Sequence, residues 1–249
     1  MKALITGASS GIGREIAFYL ADLGYDLYLV ARNKEKLDEI FKGFKVKVVT
    51  FGLDLTQDDN CYFLYNRLRK EKIDILVNNA AFGECGKFVE TDLTKELNML
   101  ALNVRTYHIL MKLFLSDFVR RDYGRVLNVA SMAGFMPGPY MATYYATKSY
   151  IVKLSLAVSE ELKRSKSKVR LSIFCPGPVK TDFDNVANVK FNINYISAAE
   201  AGRVAVEGMF KNKLVIIPNN MKVNYFLNKV SPIKLVLKVN SLVQSRVER

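Results

Sequence analysis

The chain predicts an α/β fold: one domain on a doubly wound, parallel β-sheet with helices on both faces. Two observations carry this. Short apolar runs near residues 2–6, 26–31, 46–53, 73–78, 124–130, 168–175 and 213–217 alternate with stretches of helical periodicity. The first run passes at once into a glycine-rich turn and then an amphipathic stretch, a strand, a tight turn and a helix start in succession. At 249 residues with 50% hydrophobic content the chain can bury one large core over 1–249, and no linker, internal repeat or low-complexity tract divides it.

The opening segment is KALIT (residues 2–6), then GASSGIG, then a helix with Ile12, Ile16, Leu20 and Leu23 on one side. The spacing Gly7-x-x-x-Gly11-x-Gly13 departs from the commoner G-x-G-x-x-G pattern, but the physics is similar. Glycines let the backbone turn tightly and approach a pyrophosphate, while the helix N-terminus directs free N–H groups and its positive dipole end at the anion. A merely structural turn is the alternative. Further along, Gly24 and Gly43 are placed to end the first two helices and Asn33 to cap the second. Ser197-Ala-Ala-Glu200 reads as a capping box for a late helix.

Residues 124–130, GRVLNVA, read as a buried strand, and Ser131 follows at its C-terminal end, where open α/β sheets place ligands. A helix expected from near Thr143 to about Lys163 puts Tyr144 and Lys148 four residues apart on one face. An isolated tyrosine, with a pKa of about 10, exchanges protons poorly near neutrality, and an ammonium beside it favours the ionised form. Serine, tyrosine and lysine can then converge on one carbonyl oxygen. Tyr145, three residues from Lys148, is a rival acid, and Tyr140 stands farther away. The bland alternative is an apolar cleft lined by tyrosines without chemistry.

These segments together resemble the short-chain dehydrogenase/reductase family, over most of the chain. Thr6 to Gly13 (TGASSGIG) matches its cofactor turn, Asn78 to Ala81 (NNAA) its strand-four motif, and Asn103 its central-helix asparagine. Ser131, Tyr144 and Lys148 match its catalytic set, and Pro176-Gly177-Pro178-Val179 with Thr181 its proline-glycine motif. Ala81 stands where the family commonly has glycine, a methyl that should be tolerable though it could narrow the cofactor cleft slightly. Phe82-Gly83 and the long basic tail resemble the bacterial DltE-like branch.

The resemblance implies a Rossmann-type fold, a homodimer or homotetramer, and hydride transfer between a nicotinamide and a carbonyl or alcohol substrate. It selects Tyr144 over Tyr145 as proton donor, with Ser131 orienting the substrate oxygen. Lys148 would lower the tyrosine pKa and bind the nicotinamide ribose, and Asn103 would hold a water in a relay to Lys148. Implied cofactor contacts are Gly7, Ser9, Ser10, Gly11, Ile12 and Gly13 in the turn, Arg32, Asp54 and Leu55 after the second and third strands, and Asn79, Ala80 and Ala81 after the fourth. Tyr144, Lys148, Pro176, Gly177, Val179 and Thr181 complete the set.

Cofactor choice turns on the end of the second strand. An acid there suits NAD; here the strand YDLYLVA ends in Ala31-Arg32, and arginine can pair with the extra phosphate of NADP(H). Arg14 is a second candidate. An ordinary solvated charge is the plain reading of Arg32. Asp54 suits adenine, or else caps a helix.

The region 181–212 after the proline-glycine motif is expected to hold a substrate lid. Phe183, Phe191, Tyr195 and Ile196, with Phe135, Met136 and Tyr140, form the candidate apolar pocket for a ketone, aldehyde or 3-oxoacyl substrate. The tail 219–249 interleaves Lys222, Lys229, Lys234, Lys238, Arg246 and Arg249 with Phe226, Leu227, Val230, Ile233, Leu237 and Leu242 against one acid, Glu248. Such an amphipathic helix pair is expected to dock on its own domain or a dimer partner, ahead of peripheral contact with an anionic membrane.

The net charge of +13 has no nucleic-acid reading motif behind it, so no nucleic-acid partner is expected. A non-catalytic NADPH sensor or scaffold, and a 3-oxoacyl reductase docking an acidic carrier protein, are the other readings. The chain begins in its first strand and has no apolar run long enough to span a bilayer, so a cytoplasmic protein is expected. Cys61, Cys85 and Cys175 show no metal-ligand spacing and should be free thiols, Cys85 lying near the substrate opening. His108, the sole histidine, sits in a helical run, NVRTYHILMKLF, so a histidine-based triad or metal site is not expected.

Overall fold

Alternate residues of each strand serve opposite faces of the sheet. In β1 (Lys2–Thr6), Ala3 and Ile5 enter one buried cluster and Leu4 the other; in β2 (Asp26–Ala31), Leu27 and Leu29 separate likewise from Tyr28 and Val30. With both faces covered, the strands read as continuous apolar runs. The computed structural model describes residues 1–181, 183, 187 and 196–245. The remaining strands are β3 (Val48–Gly52), β4 (Ile75–Asn78), β5 (Arg125–Val129), β6 (Arg170–Phe174), β7 (Val179–Lys180), β8 (Ile196–Ser197) and β9 (Val215–Ile216). Seven of them form one parallel sheet in the order β3-β2-β1-β4-β5-β6-β9, while β7 and β8 pair apart. The order reverses between β1 and β4, and that switch opens a crevice at the C-terminal strand ends.

On one face lie α1 (Gly11–Asp22) and α2 (Lys34–Ile40); on the other lies α3 (Asp58–Leu68). A long helical run follows, comprising α4 (Leu93–Leu100), a π-helical turn Ala101–Thr106 and α5 (Tyr107–Arg120). Together with α6 (Ala142–Arg164), α5 joins the second face, and α7 (Ala198–Phe210) joins the first. The chain continues through α8 (Lys222–Val230) and α9 (Ile233–Ser245). No helix among the described residues is long and apolar enough to cross a membrane.

Helix ends follow the local chemistry. Gly24, at φ +81°, closes α1: its N–H reaches Ala21 O at 2.8 Å and Tyr25 N–H reaches Leu20 O at 3.0 Å. Asn33 Oδ1 accepts from Lys36 N at 2.7 Å, and Ser197 Oγ from Glu200 N at 3.1 Å, as their positions predict. Gly43 lies two residues beyond the cap of α2, in the turn rather than at the helix end. The first two strands keep their predicted bounds and the sheet trims the later ones, leaving only Val215–Ile216 paired at 213–217.

The expected lid is also cut back. Within 181–212, α7 buries Ala201, Ala205, Val206 and Met209, and Gly202 lies so close to α1 that a Cβ would stand 2.8 Å from Glu15 Cβ. This half is core, because its small residues match the α1 surface. Ile196 likewise belongs to that core, not to a pocket. Phe191, Tyr195, Arg246, Glu248 and Arg249 lie outside the described residues.

Candidate active site

One cleft of about 1360 Å³ runs along the switch point, beyond the roughly 300–1,000 Å³ of ordinary ligand pockets and so large enough for a cofactor and a substrate together. Its floor is the glycine turn. Gly7 and Gly11 have φ of +68° and +55°, and a Cβ on Gly7 would sit 2.8 Å from Ala80 Cα. The turn is held by Thr6, whose hydroxyl accepts from Asn79 N and Ala80 N at 2.9 and 3.1 Å, and by Asn79 Nδ2, which donates to Thr6 O and Gly7 O. Ser10 caps α1 by position only, with no side-chain bond, and no acid occupies the first turn. The helix N-terminus is therefore open to an anion.

Ser9, Ser10, Ile12, Arg32, Asp54, Leu55, Asn79, Ala80 and Ala81 line the cleft, as do Pro176, Gly177, Val179 and Thr181. Gly13 does not. A Cβ there would stand 2.3 Å from Asn79 Nδ2 and 2.4 Å from Gly7 O, so this glycine packs the helix onto the strands. Arg32 is exposed at the end of β2 with no ion pair among the described residues, whereas Arg14 is turned to Glu15 at 2.8 Å and lies over Phe18. Asp54 caps no helix: its Oδ1 accepts from Thr56 N and Oγ1 at 3.0 and 2.8 Å, an Asx-type turn.

At the far end, β5 delivers Ser131 and α6 delivers Tyr144 and Lys148. Ser131 Oγ accepts from Ala133 N at 3.1 Å and reaches Pro176 O at 3.5 Å. Lys148, 2% exposed, donates to Val129 O at 3.1 Å, and its ammonium lies 5.8 Å from the Tyr144 ring centroid and 5.5 Å from that of Tyr107. Tyr107 OH shares the Val129 carbonyl at 3.1 Å, a support the sequence left unmarked. Tyr145 also lines the cleft and packs against Gly138, where a Cβ would approach its ring to 2.5 Å. Lysine and serine thus converge on Tyr144.

Burial raises the Tyr144 pKa, and the neighbouring Ser131 hydroxyl pulls the other way. Burial also pushes the Lys148 ammonium down to about 8. The net shift at Tyr144 is therefore upward, with burial its largest cause.

Asn103 lies in the π turn, behind the cleft wall rather than on it. Its Nδ2 donates to Phe82 O at 2.8 Å and Thr147 Oγ1 at 3.2 Å, and its Oδ1 accepts from Phe82 N at 3.1 Å. Both amide donors are used, so the side chain is a clamp with none left to donate to a relay water. Of the expected pocket residues, Met136 and Phe183 line the cleft, the latter 5.3 Å from Tyr144; Phe135 packs on Tyr225, and Tyr140 stands outside. Met221, Asn224, Leu227, Leu235 and Val239 of the tail also line it. Their only sequence signal was amphipathicity, which does not say where a helix docks.

Cys61, Cys85 and Cys175 form no disulfide. His108 bonds Tyr150 OH at 2.8 Å on an exposed helix face, away from the cleft. No metal-binding cluster occurs among the described residues.

A parallel sheet with an open helix N-terminus at its switch point and a Ser-Tyr-Lys group at one end defines a dinucleotide-type α/β protein. The chain belongs to the short-chain dehydrogenase/reductase family: the family profile described as short chain dehydrogenase matches residues 1–190. A very-long-chain 3-oxoacyl-CoA reductase of Neurospora crassa is 35% identical over 182 residues, covering 69% of this chain and 54% of that protein. The chain therefore spans about half the length of such curated relatives. A short-chain dehydrogenase from Sphingobium yanoikuyae, solved with NADPH, superposes with a TM-score of 0.83 at 28% identity over 100% of this chain and 96% of its own. A Burkholderia phymatum member solved with NAD gives a TM-score of 0.83 at 21% identity, over 91% and 92%.

Proposed function

We propose that this oxidoreductase is an NADP(H)-dependent carbonyl reductase, working reversibly on an apolar ketone, aldehyde or 3-oxoacyl compound. The observation that carries the reading is the convergence of Ser131 and Lys148 on Tyr144 at the end of a cleft whose other end is a glycine turn. The side-chain-free wall at Gly7 and the uncapped N-terminus of α1 fit a dinucleotide pyrophosphate, with Ser9, Ser10, Gly11 and Ile12 around it. Arg32 supports the phosphate-bearing form, since no acid stands at the end of β2. The structural likenesses alone do not choose, one neighbour holding NADPH and another NAD.

The bound nicotinamide supplies the hydride that reduces the carbonyl carbon. Tyr144 gives the phenolic proton to the developing alkoxide; burial keeps that phenol protonated but also weakens it as an acid, so the donor role needs positive charge beside the phenolate. Ser131 orients the substrate oxygen. Lys148 would bind the ribose hydroxyls and return positive charge beside the phenolate left behind. Apolar tail residues in the cleft favour a substrate with a hydrocarbon portion, in keeping with the fungal relative's name.

Oxidation of NADPH across ketones, aldehydes and 3-oxoacyl thioesters, with wild type beside Tyr144→Phe, tests this. Wild-type turnover lost by at least a hundredfold in the variant, with NADPH still bound, is expected. Turnover retained without the phenol would reject Tyr144 and move the role to Tyr145. Silence from both proteins with NADPH bound would favour a sensor.

A further inference from the structure

The apolar face of α8 is turned away from the domain. Val223, Phe226 and Val230 recur at helical spacing and are 68%, 63% and 61% exposed. On the opposite side Tyr225 packs its ring on Phe135 at 4.8 Å, and Asn224 and Asn228 face the cleft. A helix docked on its own domain ordinarily presents the reverse arrangement. The next helix continues the surface: Ile233 and Leu237 are 59% and 40% exposed, while Val236 and the Asn240 bond to Pro137 O at 2.9 Å anchor α9 to the body. The expected docking of the tail on its own domain thus occurs, but through the polar face of α8.

Charge says what covers it. Residues 219–245 hold four lysines, Lys222, Lys229, Lys234 and Lys238, and no aspartate or glutamate. We propose that α8 and α9 seat the mouth of the cleft on an anionic lipid surface, with Val223, Phe226 and Val230 in the acyl layer and the lysines at the headgroups. A second copy of this chain fits poorly, because a two-fold contact sets these lysines against each other with no acid in the segment to pair them. An acidic protein would satisfy the lysines but not the outward apolar row. Leu227, Leu235 and Val239 are about half exposed and also line the cleft, so they join the lipid-facing surface to the site. A carbonyl compound dissolved in the bilayer reaches Tyr144 along them; this route alone rests on the reductase reading.

Flotation of the full chain with phosphatidylglycerol–phosphatidylcholine vesicles, and with phosphatidylcholine alone, tests the seating without turnover. Wild type should partition at least tenfold more onto the anionic vesicles at low salt. The triple variant Val223→Asp, Phe226→Asp, Val230→Asp, none of them in the cleft, should lose at least tenfold while its melting temperature and NADPH binding stay. Absence of flotation at low salt, or equal flotation of the variant, overturns the proposal. So does a concentration-dependent dimer, or binding of an acidic acyl-carrier protein, that the same substitutions abolish while vesicles remain unbound.

Discussion

Asn103 and Phe82 are joined as two strand residues would be, the side-chain amide of one meeting both backbone groups of the other at 2.8 and 3.1 Å. A third bond from Asn103 to Thr147, which itself donates to Tyr144 O at 2.6 Å, ties this clamp to α6. The loop after β4, the π turn and α6 are therefore fixed by one side chain.

Asn103→Ala should leave the Phe82 N–H and C=O without those partners, at roughly 1–3 kcal/mol for each group left unsatisfied. The expected result is a lower melting temperature and at least a tenfold fall in kcat, with NADPH affinity little changed. Thermal melts and steady-state kinetics check it, and a variant indistinguishable from wild type would refute the clamp.

Lys148 is buried at the expense of stability. Its folded pKa, about 8, lies below the ordinary 10.5, so the unfolded chain holds the proton more tightly. The penalty is fully present below pH 8, roughly 3 kcal/mol, and is relieved as pH rises toward 10.5. Lys148→Met should therefore melt several degrees higher than wild type at pH 7, at about 2–4 °C per kcal/mol for a chain of this length, while losing activity. Equal melting of the two proteins would contradict the buried charge.

The same value predicts a pH profile. The ratio kcat/KM for NADPH, which reports the free enzyme, should fall as pH rises through about 8 and Lys148 loses its charge. A flat profile to pH 9.5 would remove Lys148 from cofactor binding.

Arg32 should carry cofactor preference because it stands exposed at the β2 end without an ion pair among the described residues. Arg32→Ala is expected to raise KM for NADPH tenfold or more and leave KM for NADH nearly unchanged. Comparing the two cofactors on both proteins decides it, a parallel loss counting against phosphate recognition.

Gly13, behind the cleft, and Gly177, on its wall, should differ sharply under the same substitution. Gly13→Ala drives a methyl into Asn79 Nδ2 and Gly7 O at 2.3 and 2.4 Å and should abolish stable folding, since backbone cannot yield cheaply. Gly177→Ala meets Met221 Sδ at 2.7 Å, the end of a flexible side chain, and should fold normally. Solubility and melting of both variants test the contrast.

The glycine turn, the parallel sheet implied by alternation, and Ser131, Tyr144 and Lys148 were legible because each depends on spacing along the chain. A strand feeding a glycine turn and a helix, or two residues four apart on a helix, is a local fact. Spacing left Tyr144 and Tyr145 open, only the family resemblance ranking them, and neither the Ser131 contact of Tyr144 nor the clamp made by Asn103 was local. Both rest on contacts across long stretches of sequence, to Ser131 and to Phe82 and Thr147. The π turn that carries Asn103 has no composition signal, because it differs from an α-helix only in which carbonyl each N–H meets.

By itself, then, the amino-acid order determined the α/β class, the glycine turn and the candidate catalytic set, since periodicity and short spacings govern them. Tertiary structure decided the rest. It turned α7 into core rather than lid, set burial above the Ser131 hydroxyl at Tyr144, and brought the tail over the cleft with the apolar face of α8 outward. Burial and long-range packing determine those outcomes, and neither is a property of any short stretch of chain.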